Sequence, residues 1–257
     1  MTTVDSNPLH ARSDRILIVT SLVILTAAAW AYLIHDVTSG VNNLPACCLR
    51  ADPRFWGWRD FTVLFVMWTV MMIGMMTPTV APMVLMFAAI NRRRREQLRP
   101  FVPTALFLLG YLIIWTAFSG VATGAQYGLH RASLISPAMV ATNRWLGAAV
   151  LIAAGIFQFT PAKRRCLTHC RSPLDFIMTD WRDGRRGAIV MGLRHGIACT
   201  GCCWLLMALL FVVGVMNLLW VAAITLFVLA EKALPVGPWL PRISGAALIV
   251  WGVASLL

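Results

Sequence analysis

Seven cysteines fall in three groups: Cys47 with Cys48, Cys166 with Cys170, and Cys199 with Cys202 and Cys203. The third group follows Arg194 and His195. On a helix, positions 195, 199 and 202 are spaced i, i+4, i+7 and share a face, with Cys203 again one turn beyond Cys199. One imidazole and two or three thiols therefore converge. Thiolate and imidazole suit a soft or borderline ion, Cu(I) or Zn(II), far better than a hard ion such as Mg(II). The plainer alternative is a set of small buried residues beside a hydrogen-bonded histidine.

Cys166 and Cys170 are also one helical turn apart, among Lys163, Arg164, Arg165 and Arg171. Nearby cations favour thiolate, the form that binds metal, so the sequence predicts depressed thiol pKa values here. Methionine is the third soft donor. Seven of the 13 methionines lie between Asp60 and Ile90, and Met71, Met72, Met75 and Met76 stand just ahead of Pro78. Thioethers select Cu(I) over Zn(II), and Met72 with Met76 form the pair on one face chosen as candidate ligands. Pro78 and Pro82 are expected to break or kink that helix.

These residues must be held by membrane elements. Of 257 residues 59% are apolar and only 12% charged, half the charge of an ordinary soluble domain. That composition excludes a secreted disulfide scaffold and a disordered chain. Stretches free of formal charge mark spans near 16–35, 60–90, 102–123, 143–161, 187–213, 217–231 and 238–257. Residues 195–230 are too long for one crossing, and Gly214 to Asn217 form the natural turn. The expected fold is all-α: a polytopic transmembrane bundle of about seven spans, one membrane domain over 16–257 behind a cytoplasmic tail of 1–15.

Lys and Arg fix the orientation. With the N-terminus inside, 16 cationic residues lie on inner segments and five on outer ones, which places the chain in the inner (plasma) membrane with its C-terminus outside. The Arg92 to Arg95 run then reads as a stop-transfer anchor, and no nucleic acid partner is expected. The Leu44 to Arg59 loop reads as an outer interfacial segment. Glu231 and Lys232 read as an interfacial anchor at a span end, and Gln158 and Thr160 as hydrogen-bonding groups between helices.

Gln158, Thr160, Pro161, Lys163, Cys166, His169, Cys170 and Pro173, the methionine pairs before Pro78, and His195 through Cys199, Gly201, Cys202, Cys203 and Trp204 together resemble a bacterial family. It is that of the predicted metal-binding integral membrane proteins, a domain of unknown function often labelled copper chaperone. Glu231, Lys232 and the Gly214 to Asn217 turn also match its pattern; Cys47 and Cys48 do not belong to it. The resemblance spans about residues 60 to 250 and implies a metal site at the Cys and His positions.

The expected function is binding of a soft metal, Cu(I) before zinc, by a non-catalytic protein that traffics it or delivers it to a metal-accepting protein or membrane complex. Cys166 and Cys170 would be the first ligands met from the cytoplasm. His195, Cys199, Cys202 and Cys203 would form the principal site, with Met72 and Met76 as thioethers. Two rivals come from other classes: a thiol redox enzyme cycling Cys199 and Cys202, and a structural subunit of a larger membrane complex.

Overall fold

Long apolar stretches without water to solvate their backbones satisfy N–H and C=O groups internally, and the chain does so as helices. The computed structural model describes residues 8–39, 57–96, 103–136, 141–234 and 239–257. Cys47, Cys48 and most of the Leu44 to Arg59 loop lie outside these residues. The described residues are all-helical: α1 (Pro8–Ser39), α2 (Trp58–Glu96), α3 (Thr104–Arg131), α4 (Arg144–Phe159), α5 (Pro161–Arg171), α6 (Pro173–Asp180), α7 (Gly184–Ala208), α8 (Leu210–Val213), α9 (Leu218–Ala233) and α10 (Trp239–Ala254). Residues 8–15, expected as tail, are the first turns of α1.

Among the described residues, four helical segments are long and apolar enough to cross a membrane: Arg12–Thr38, Trp58–Arg93, Thr104–Arg131 and Gly184–Val213. The α4–α5 pair makes a fifth if it is counted as one span, bent by 66°. This is fewer than the seven crossings expected from charge-free stretches. A helix of 16 residues reaches only about 24 Å, short of the ~30 Å hydrocarbon core, and α4, α9 and α10 are all of that length. The loop at Gly214 falls where expected: α8 ends there and Gly214 takes φ +98°, a conformation suited to glycine.

The prolines do not break α2, which runs 39 residues, about 58 Å, straight through Pro78 and Pro82. Met71, Met72, Met75 and Met76 are all buried along it.

Helices meet most extensively where glycine removes side chains. α3 crosses α7 with Gly110 against the Ile189 carbonyl and Gly192 against the Phe107 carbonyl, and a Cβ at either position would collide with backbone. α4 pairs with α10 likewise: a Cβ on Gly155 would stand 2.7 Å from the Gly245 carbonyl oxygen. This is the small-residue contact by which membrane helices pack without a hydrophobic drive between them. The outward faces remain apolar, with Leu17, Val23, Ile24, Val121, Ile197, Leu219, Leu226 and Val250 among the exposed residues.

Candidate metal centre

The site is built where α5 is laid against α7. α4 stops at Thr160, whose side chain accepts from the Lys163 amide at 3.2 Å, and Pro161 opens the next helix at a position where its missing N–H costs nothing. The resulting 66° bend turns α5 across the bundle. Cys166 then lies over Gly201 of α7, so close that a Cβ at 201 would be 3.0 Å from its sulfur. One turn later, Cys170 comes close enough to Cys199 and Cys202 for the three side chains to interact electrostatically. Cys203 interacts electrostatically with the same two and donates to the Cys199 carbonyl at 3.0 Å. Thus Cys170, Cys199, Cys202 and Cys203 stand together, with Cys166 beside them, and all five are free thiols.

Two further groups complete this cluster, and sequence reasoning missed both as site residues. Lys232 of α9 donates from Nζ to Cys199 Sγ at 2.9 Å and to Thr79 Oγ1 of α2 at 3.2 Å. Tyr111 of α3, fully buried, holds its hydroxyl 3.1 Å from Cys199 Sγ and donates to the Met76 carbonyl at 3.3 Å. Cys199 is therefore the point where α2, α3, α5, α7 and α9 meet.

Lys232 is thus no surface anchor, and neither is its neighbour. Glu231 is 1% exposed and accepts from Lys163 Nζ at 2.8 and 3.0 Å, with Lys163 also 1% exposed. Arg171 Nε donates to the Glu231 carbonyl. The missed signal was available: Glu231 is the only acidic residue after Asp183, and a lone carboxylate in an apolar helix requires a partner.

The remaining expected ligands are placed differently. His195 is 3% exposed and packs among Phe107, Tyr111 and Phe176, with Nδ1 lacking a hydrogen-bond partner. Met72 and Met76 are buried in the apolar core, where only the Met76 backbone carbonyl makes a polar contact with the site. The basic flank does not depress the Cys166 thiol as expected. Burial, and secondarily the charge of Cys202, raise it, the sulfur lying against Gly201 of α7. Gln158 makes no hydrogen bond between helices, whereas Thr160 caps α5.

Around the site, Asp180 at the end of α6 pairs with Arg194 of α7 and lies 3.4 Å from His169 Nε2 of α5. This ties the two Cys-bearing helices through α6.

A family description of copper chaperones matches residues 65–255, nearly three quarters of the chain and every residue of the thiol cluster. The chain belongs to the PpoB2 copper chaperone family. No curated protein and no solved structure matches it.

Among the described residues, no three His, Cys, Asp or Glu side chains form a ready cage for an ion. The reason is visible in the hydrogen bonds. Cys202 and Cys203 both donate to the Cys199 carbonyl at 3.0 Å, and Cys199 Sγ faces the Lys232 ammonium. The donors gathered here are thiols, and the Glu231 carboxylate is neutralised by Lys163, a combination whose chemistry would favour a soft ion over a hard one.

Proposed function

We propose that this chain is an inner-membrane protein, its N-terminus cytoplasmic, that takes Cu(I) as cargo at Cys170, Cys199, Cys202 and Cys203 and passes it to an accepting protein. The observation that carries this reading is the convergence of Cys170 from α5 with the three α7 cysteines, in a chain of the copper chaperone family. Cys166, at the half-buried edge of the cluster, is the first thiol met from the cytoplasm. His195 supplies a nitrogen donor through its unpartnered Nδ1, while Met72 and Met76, expected from the sequence as thioether ligands, serve as core packing beside the thiols.

The residues present suggest how cargo is held and released. Lys232 gives Cys199 a charge-assisted hydrogen bond, and its ammonium stands where a cation beside that sulfur belongs. Loading would turn Cys202 and Cys203 from the Cys199 carbonyl and shift the Lys232 ammonium off Cys199 onto its bond with Thr79, and each thiol that takes Cu(I) gives up its proton to solvent. Release takes those protons back as the metal leaves, and Lys232 returns to Cys199. With the N-terminus inside and α4 returning to the cytoplasm, α5 and the start of α7 lie on the inner side, and the cluster between them sits in the inner half of the membrane.

Elemental analysis of protein purified from copper-supplemented cells tests the proposal. Near-stoichiometric copper in the wild type, lost in the Cys199→Ser, Cys202→Ser, Cys203→Ser triple variant, is expected. Absence of copper and zinc from both proteins overturns it. A reversible Cys199–Cys202 disulfide couple in metal-free protein instead favours the redox reading.

A further inference from the structure

A cavity of about 410 Å³ lies away from the thiols, where the C-terminal end of α4, the outer face of α5 and the first turn of α10 come together. Its lining includes Arg164 and Arg171 of α5 and Arg242 of α10, with no acidic side chain among the lining residues. Three guanidinium groups around one cavity are matched to a phosphate, whose oxygens they recognise as forked donors.

A second observation is independent of that charge. Gln158 lines the same cavity, is 2% exposed, and has no hydrogen-bond partner for either Nε2 or Oε1. A buried amide with both ends unsatisfied is destabilising unless a ligand or water completes it. It is also clamped in place: a Cβ on Gly245 of α10 would lie 2.8 Å from Gln158 Cβ. Its amide offers one donor to a phosphate oxygen and one acceptor to a hydroxyl.

The cavity is also set for an interface. Arg242 lies 5.9 Å from the centre of the Trp239 ring, and Trp239 is 65% exposed, as are headgroup-level tryptophans in membranes. Phe159, Leu167 and Pro241 supply apolar wall on the same cavity. Arg171 is oriented by its Nε bond to the Glu231 carbonyl, so the cavity adjoins the buried ion pair without using it.

We infer that this cavity binds a phosphate ester bearing hydroxyl groups, the chemistry of a glycerophosphate headgroup: Arg164, Arg171 and Arg242 hold the phosphate and Gln158 reads a hydroxyl beside it. The inference rests on the membrane orientation proposed above, which puts all four residues at the cytoplasmic leaflet, where anionic lipid is concentrated. It does not depend on copper.

The test uses full-length protein in detergent, stripped of lipid and titrated with phosphatidylglycerol, phosphatidylcholine or soluble glycerol 3-phosphate, with binding read by native mass spectrometry. Phosphatidylglycerol should bind at least tenfold more tightly than phosphatidylcholine. Arg164→Ala with Arg242→Ala should weaken it about tenfold, and Gln158→Leu, which leaves every charge in place, about fivefold. Preference for phosphatidylglycerol over glycerol 3-phosphate identifies the source as lipid, and the reverse order identifies a soluble phosphate ester. Equal binding of both lipids, or variants that bind phosphatidylglycerol as the wild type does, overturns the inference. Copper content measured on the same samples should be unchanged in both variants, which separates failure of this site from failure of the thiol site.

Discussion

Two regions carry soft sulfur, and the chain treats them differently. On α7, Cys199 is bound by an ammonium and a phenol from two other helices, and Cys170 arrives from a third. On α2, Met71, Met72, Met75 and Met76 are as deeply buried, yet among their described contacts only the Met76 carbonyl is engaged by polar side chains. Read as ligand types, both regions select the same ion. The difference is in what surrounds the sulfur. Polar partners, which cost free energy to bury, are assembled around the thiols, while the thioethers fill space as flexible methionine does in any core.

The largest expected effect tests that contrast directly. Cys199→Ser with Cys202→Ser should weaken Cu(I) binding at least a hundredfold in competition with a chromophoric chelator. Met72→Leu with Met76→Leu, a nearly volume-conserving change, should move it by less than threefold. A methionine variant that loses copper as completely as the serine variant would break the comparison.

A second effect separates the two residues at the end of α9. Glu231→Gln leaves Lys163 as an unpaired buried cation, and removing one partner of such a pair costs about 3–5 kcal/mol. Thermal unfolding in detergent should show the loss even without copper. A change of under 1 kcal/mol would mean that Glu231 is not the counter-ion that buries Lys163.

A third and smaller effect concerns the seat of Cys166. Gly201→Val places carbon against a sulfur already only 3.0 Å from a Cβ at that position, at a cost of about 1–3 kcal/mol. The loss should shrink in the Cys166→Ala background, where the clash is removed, and an undiminished loss would sever the α5–α7 contact from the site.

The smallest effect is in pH. Because burial raises the Cys166 thiol, its alkylation in a variant retaining only that cysteine should rise with pH through a midpoint above the ~8.5 of a free cysteine. A midpoint below that value would restore the basic flank as the dominant influence.

Much of this arrangement was legible from local pattern. The helical face shared by Cys199, Cys202 and Cys203, the end of the long apolar stretch at Gly214 and the nearness of Cys166 and Cys170 to α7 follow from spacing and charge placement. What stayed hidden depends on pairs far apart in the chain. Lys163 meets Glu231 across 68 positions and Lys232 meets Cys199 across 33, and no periodicity reports such encounters. Of the two outcomes expected at Pro78 and Pro82, a break is absent: α2 continues through both, because in a membrane helix neighbouring groups can satisfy the carbonyls that proline frees. The number of crossings was overread because a charge-free stretch reports apolarity and not helix length.

The central claim is that copper is held by the thiols of α5 and α7. Copper K-edge X-ray absorption on the copper-loaded wild type and on the Cys199→Ser, Cys202→Ser and Met72→Leu, Met76→Leu variants addresses it most directly. The account predicts a first shell dominated by sulfur, unaltered by the leucines and abolished by the serines. A shell of nitrogen and oxygen, or a sulfur shell that survives the serines, would contradict it.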